Sequence, residues 1–119
     1  MGFLSRLFGR RDHNWHEPLL RDVLVTFIRN VPPAWNAATL TLAAPEDGLG
    51  SGVSHTIVSP EGRRDVVLPS DELMLATRKF ELASVEHQML WKKVVVGVEK
   101  EGEDWKSKID FDYGDSADE

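Results

Sequence analysis

Histidine supplies the first candidate chemistry in this chain, because His13 and His16 are three residues apart and can share one side of a helix. Such a pair is a typical beginning of a zinc site, which needs three or four protein ligands. His55 and His87 are distant in the sequence, and the chain has no cysteine. We therefore expect surface histidines, and the alternative interpretation is a metal site, which would require the fold to bring His55 or His87 close.

A glycine-rich segment, GLGSG at 48–52, is the next candidate, because glycine-rich loops can hold phosphate. It lacks the Lys-Ser/Thr pair of a phosphate-binding loop and lies between predicted strands, so it predicts a hairpin loop. There is no Gly-x-Ser-x-Gly motif, and the spacing of serine, histidine and aspartate does not indicate a triad. We expect a protein with no enzymatic activity and no cofactor.

The charge of the chain is concentrated at its carboxyl end. The net charge is −6, and residues 99–119 hold nine acidic residues and three lysines, so residues 1–98 are neutral overall. An acidic end repels nucleic acid and attracts a basic protein. The alternative is that these charges only keep the protein soluble. The absence of cysteine agrees with a cytoplasmic location.

Residues 1–14 are a basic amphipathic extension. Apolar residues at helical spacing lie beside arginines there: Phe3, Leu4, Leu7 and Phe8 with Arg6, Arg10 and Arg11. The extension is too short to span a bilayer, which needs about 20 apolar residues, and it has no signal-peptide cleavage site. We expect residues 1–11 either to contact a membrane interface weakly, or to fray or pack on their own domain.

The rest of the sequence predicts a single domain at 15–115 and an acidic tail at 116–119. Pro18 suits the first turn of a helix at 17–30, which Pro32 and Pro33 end. Alternating apolar residues predict strands at 36–44, 53–59 and 64–68. A helix at 71–90 and a hairpin of 91–99 with 104–113 follow. The order α-β-β-β-α-β-β predicts an α+β fold, an antiparallel sheet of about five strands with two helices on one face.

The helix predicted at 71–90, with Ser70 as its N-cap, is apolar on two sides. One side carries Leu73, Ala76, Phe80, Ala83 and Leu90, and the other carries Met74, Leu75, Leu82, Val85 and Met89. We expect the second side to be buried between the sheet and the first helix. The alternative is that it binds an effector segment or a second copy of the chain.

The last predicted strand alternates apolar and charged residues. Its inward row is Trp105, Ile109, Phe111 and Tyr113, and its outward row is Lys106, Lys108, Asp110 and Asp112.

These features in this order resemble the YezG-like family of bacterial immunity proteins, or antitoxins. The resemblance covers residues 17–115. It depends on VPPAW at 31–35 after the first helix, and on a final hairpin with Trp91, a valine run, a glycine turn and WKSKIDFDY at 105–113. The basic residues 1–11 are not part of the family pattern.

The resemblance implies a non-enzymatic α+β protein that neutralises a toxin, often a nuclease, and it carries over no catalytic residue. A nuclease is basic where it holds phosphate, so an acidic protein can be steered to it. We predict that Asp104, Asp110 and Asp112 steer the partner, that Glu101 and Glu103 extend the acidic field, and that Tyr113 is an anchor. The alternative function is a secretion-chaperone-like or self-associating protein-binding domain.

Overall fold

The structure is a computed structural model that describes residues 15–62 and 67–114. The extension predicted at 1–14 and the tail predicted at 116–119 lie outside the described residues. Within them the chain forms two helices and four strands. In chain order these are α1 (His16–Asn30), β1 (Ala37–Ala43), β2 (Ser54–Val58), α2 (Asp71–Glu86), β3 (Lys93–Glu101) and β4 (Asp104–Asp112).

The first helix forms as predicted, because its apolar residues fall on one side. Leu20, Val23 and Phe27 are buried against the rest of the domain. After the helix, the proline pair cannot continue its hydrogen bonding, and the Trp35 amide donates to the Pro32 carbonyl at 3.0 Å. Trp35 is 1% exposed, so this corner is a core contact.

The four strands form one antiparallel sheet in the order β2-β1-β3-β4. Leu40 lies opposite Ile57 on one side and opposite Val96 on the other, and Val96 lies opposite Ile109. Because side chains alternate across a strand, this register places apolar residues of all four strands on one face. Both helices pack on that face, so the predicted α+β class is confirmed.

The strand predicted at 64–68 lies mostly outside the described residues. Residues 63–66 lie outside the described residues, and Val67 and Leu68 have no strand conformation. The Asn30 side chain binds the backbone that follows: its Nδ2 donates to the Leu68 carbonyl at 3.0 Å, and its Oδ1 accepts from the Ser70 amide at 2.6 Å. These backbone groups therefore bind the end of α1, and the described residues form a sheet of four strands where about five were predicted.

The second helix begins as predicted and ends earlier. Ser70 caps it by accepting a hydrogen bond from the Leu73 amide at 3.1 Å. The helix ends at Glu86, because Gln88 takes a positive φ of 60° and the Met89 amide donates to the Ser84 carbonyl at 2.8 Å. This contact reverses the chain in the manner of a Schellman motif, so residues 87–90 lead into β3 and are not helical.

The final hairpin matches the predicted alternation. Gly102 has a φ of 66° and, with Glu103, makes a two-residue turn between β3 and β4. The inward row of the last strand packs partly buried against the core: Trp105, Ile109, Phe111 and Tyr113. The outward row is exposed, as predicted: Lys106, Lys108, Asp110 and Asp112.

Truncation of Leu40 tests this arrangement of the sheet. Leu40 is completely buried in β1 between two neighbouring strands, so we expect Leu40→Ala to lower the free energy of unfolding by about 2–5 kcal/mol. Val58 is 47% exposed at the end of β2, and Val58→Ala is the control, with a change of less than about 0.5 kcal/mol. Urea unfolding measures both variants, and equal losses would contradict the register.

Candidate protein-binding surfaces

The six residues predicted to bind a partner lie in two groups at opposite ends of β4. Glu101, Glu103 and Asp104 surround the turn, whereas Asp110, Asp112 and Tyr113 lie at the far end of the strand. Asp110 follows Asp104 by six positions, which is roughly 20 Å along a strand. The structure therefore does not bring these residues into one site.

The turn carries acidic groups that the fold only partly neutralises. Glu101 lies opposite Asp104 in the strand register, and like charges in that position are destabilising. Lys106 Nζ lies 3.1 Å from Glu101 Oε2, but both side chains are more than 60% exposed, so this ion pair contributes little. Glu103 and Asp104 are also exposed. The turn is consequently an exposed acidic cluster.

At the far end of β4, the charges and the tyrosine are more closely tied to the domain. Asp112 lies opposite Lys93, whereas Asp110 lies opposite Val95. Tyr113 is half-buried and stacks on Phe111 with ring centroids 6.2 Å apart. Burial also raises the pKa of the Tyr113 hydroxyl. The predicted anchor therefore packs at the edge of the core and presents only part of its surface.

A second exposed surface lies on α2, where burial was expected. Met74 is 47% exposed, Leu75 58%, Leu82 45% and Val85 36%, and Leu90 beyond the helix end is 57% exposed. We call these five residues the apolar row. The expectation that this side of the helix is buried was wrong, and a large apolar surface of this kind is typical of a contact site.

A groove of about 580 Å³ lies beside the carboxyl end of the apolar row. Val85 and Leu90 of the row line it, together with Leu49 of the glycine-rich loop. Glu46 and Asp47 contribute acidic groups to its lining, and Lys92 contributes a basic one. The groove thus combines an apolar floor with a mixed charged border.

Glu81 holds the glycine-rich loop beside this groove. The loop connects β1 to β2, as predicted, and the amides of Gly50 and Gly52 donate to Glu81 Oε2 at 2.7 and 2.9 Å. Arg78 Nη1 donates to Glu81 Oε1 at 2.8 Å and to the Gly50 carbonyl at 3.2 Å. Glu81 is fully buried. Burial favours the neutral acid, but these hydrogen bonds outweigh it and lower the pKa of Glu81.

Two further polar residues of α2 are buried with partners. Thr77 Oγ1 lies 2.7 Å from His55 Nε2, and the Ser84 hydroxyl accepts from Trp91 Nε1 at 3.1 Å. Burial lowers the pKa of His55, although a hydrogen bond with Val53 and the charge of Glu81 act in the opposite direction. Thr77 is 1% exposed, so its contact with His55 joins β2 to α2 and offers a substrate no access.

The histidines predicted to be on the surface do not all lie there in the structure. His13 lies outside the described residues, and His16 is 1% exposed, with Nε2 2.7 Å from Met89 Sδ. Trp15 stacks on His87 with centroids 4.1 Å apart. The prediction of a surface position was therefore wrong for His16, which is a core residue. Within 15–62 and 67–114, no three histidine, cysteine or acidic residues are grouped to hold a metal ion.

The sequence pattern did not predict the buried polar contacts of Thr77, Glu81 and Ser84. They lie on the same side of α2 as the buried residues Leu73 and Phe80. Charged or polar residues inside an apolar stripe are the signal that could have identified them.

Replacement of Glu81 tests the attachment of the loop. We expect Glu81→Gln to lower the free energy of unfolding at neutral pH by about 1–3 kcal/mol, because a buried charged acceptor is lost. The pKa of Glu81 is below its ordinary value of 4.5 in the folded protein, so its stabilisation is complete above pH 4.5 and declines as the pH falls through the folded pKa. The variant lacks that decline.

Urea unfolding at a series of pH values measures both effects. Glu86→Gln is the matched control, since Glu86 is exposed at the end of the same helix, and we expect a change below about 0.5 kcal/mol. The same acid dependence in Glu81→Gln as in the unaltered protein would contradict this role.

Neither described helix combines the length and apolar content that crossing a membrane requires. In comparisons with known proteins, no family model and no curated sequence matches the chain.

Proposed function

We propose that this protein is a non-enzymatic cytoplasmic binding protein that neutralises a basic protein partner, as a bacterial immunity protein neutralises a toxin. A toxin that acts on nucleic acid would suit this role, since it is basic where it holds phosphate. The proposal includes no catalytic residue, no cofactor and no nucleic-acid partner.

The acidic cluster at the β3–β4 turn is the observation that supports this proposal most directly. Glu101 and Asp104 lie opposite each other, and Glu103 lies between them in the turn. Opposed like charges do not stabilise the fold. The arrangement is therefore better explained by the binding of a positively charged protein. Exposed charges of one sign accelerate encounter with an oppositely charged protein.

Steering alone does not provide affinity, because exposed charge pairs contribute little free energy. Affinity at this hairpin requires apolar contact as well, and the exposed parts of Trp105 and Tyr113 provide it in the proposal. Trp105 is half-buried close to the turn, where Lys100 Nζ lies 5.7 Å from the centre of its ring. The partner would then contact the turn first and afterwards the edge of the sheet that β4 forms, where Trp105 and Tyr113 are partly exposed.

Charge removal at the turn tests the proposal with the product of the adjacent gene as partner. Co-purification of the two proteins is expected. In Glu101→Gln/Glu103→Gln/Asp104→Asn, we expect the association rate at low salt to fall by roughly tenfold, and its dependence on salt to weaken. Stopped-flow measurements over a series of salt concentrations determine both quantities.

A second triple variant controls for net charge. Asp22, Glu61 and Glu72 are exposed on other parts of the domain, and Asp22→Asn/Glu61→Gln/Glu72→Gln removes the same charge. We expect this control to retain most of the association rate. Equal rates in the two triple variants would contradict a role for the turn, and failure of any partner to bind would contradict the immunity function.

The exposed apolar row favours a second candidate, the secretion-chaperone-like or self-associating domain. In this function the row binds an effector segment or a second copy of the chain, and the acidic turn only contributes solubility. The observation that favours this function is the exposure of Leu82, because a helix with a purely structural role would bury that side chain.

Light scattering with Leu82→Glu tests this candidate. Since Leu82 is 45% exposed, we expect the variant to stay folded. A dimer that dissociates on this change, while circular dichroism is unaltered, would support self-association. A monomer before and after the change would contradict it.

A further inference from the structure

We infer that the apolar row of α2 and the groove beside it are covered by residues 3–11 of the same chain. The contact joins the apolar residues Phe3, Leu4, Leu7 and Phe8 to the row, and places the arginines of the segment near Glu46 and Asp47 of the groove. This inference does not depend on the proposed immunity function, because the acidic cluster at the β3–β4 turn is not part of the contact.

The position of Trp15 brings the segment to this surface. Trp15 stacks on His87 at 4.1 Å, and His16 Nε2 lies 2.7 Å from Met89 Sδ. The chain therefore enters the described domain beside the carboxyl end of α2, close to Leu90. Leu90 is both a member of the apolar row and part of the groove lining.

The length of the segment is sufficient for this contact. Trp15 follows Phe8 by seven positions, and an extended chain of that length reaches roughly 23–25 Å. The helical part of the row, from Met74 to Val85, spans only about 17 Å. The segment can therefore pass round the end of α2 and still lie along the row.

The segment and the surface formed by the apolar row and its groove are complementary in apolar character and in charge. The apolar residues of the segment are spaced at positions 3, 4, 7 and 8, which places them on one side of a helix. Arg6, Arg10 and Arg11 accompany them, and Glu46 and Asp47 line the groove. Lys92 also lines the groove, so the attraction depends on where each arginine lies as well as on net charge.

The tether favours this occupant over a second copy of the chain. A short tether gives a local concentration on the order of millimolar, whereas free protein is present at micromolar concentration in most experiments. The segment therefore meets the apolar row far more often than a second molecule does. A protein that binds the row must first displace the segment.

Disulfide trapping tests the contact directly, because the chain has no cysteine of its own. In Phe8→Cys/Val85→Cys, we expect an intramolecular disulfide to form under mild oxidation. The control is Phe8→Cys/Thr56→Cys, since Thr56 is exposed and lies next to the buried Ile57 along β2, on the opposite face of the sheet. We expect the first pair to react at least roughly tenfold faster than the control, which has the same tether.

A third variant tests whether the contact is specific. Adding Leu7→Glu to Phe8→Cys/Val85→Cys changes only the segment, so the described domain keeps its structure. We expect the rate to fall to that of the control. Non-reducing electrophoresis separates intramolecular disulfides from cross-linked dimers, and mass spectrometry identifies the paired residues.

Three results would overturn the inference. Equal rates for the two cysteine pairs would show that the segment does not prefer this surface. Rapid dimer cross-linking of Val85→Cys alone would assign the row to a second copy. The third result combines two observations: the two cysteine pairs react at equal rates, and the full chain floats with phosphatidylserine vesicles unless Leu7→Glu is present. It would assign the segment to a membrane surface.

Discussion

The rotation of α2 about its own axis is the constraint on which the arrangement of both candidate surfaces depends. Three buried polar side chains fix it: Thr77 contacts His55, Glu81 accepts from the amides of Gly50 and Gly52, and Ser84 accepts from Trp91. Each of them would lose its partner if the helix turned. An ionised carboxylate buried without partners is especially unfavourable, so Glu81 is the strongest of the three constraints.

Hydrophobic burial alone does not determine this rotation. Turning α2 to bury the apolar row would gain about 1.5–3 kcal/mol for each large side chain that becomes fully buried. The same turn would expose Leu73 and Phe80, which are completely buried now, so apolar burial would be lost on one side as it is gained on the other. The buried polar contacts therefore decide which apolar side faces the core. The other side remains on the surface, where it can bind a segment or a partner.

Most of the fold follows from local patterns, and the main errors concern contacts between distant residues. The alternation in β4 and the apolar side of α1 depend on neighbours in the sequence, so both could be predicted. The end of α2 could not, because Gln88 takes a turn conformation more typical of glycine. The exposed side of α2 could not either, since Glu81 binds amides about thirty residues earlier. Val67 and Leu68, predicted to end a strand, have no strand conformation, and Asn30 instead binds the Leu68 carbonyl and the Ser70 amide, a contact between distant residues.

The sign of the change in the pKa of Glu81 tests this account most directly. A carboxyl group that is buried without donors has a raised pKa, whereas one that accepts two amide bonds and an arginine bond has a lowered one. Carbon-detected NMR titration of the Glu81 carboxyl group in the full chain distinguishes the two cases. The account predicts a pKa below the ordinary value of 4.5. A pKa at or above that value would show that the loop does not hold α2 in this rotation, and would contradict the account.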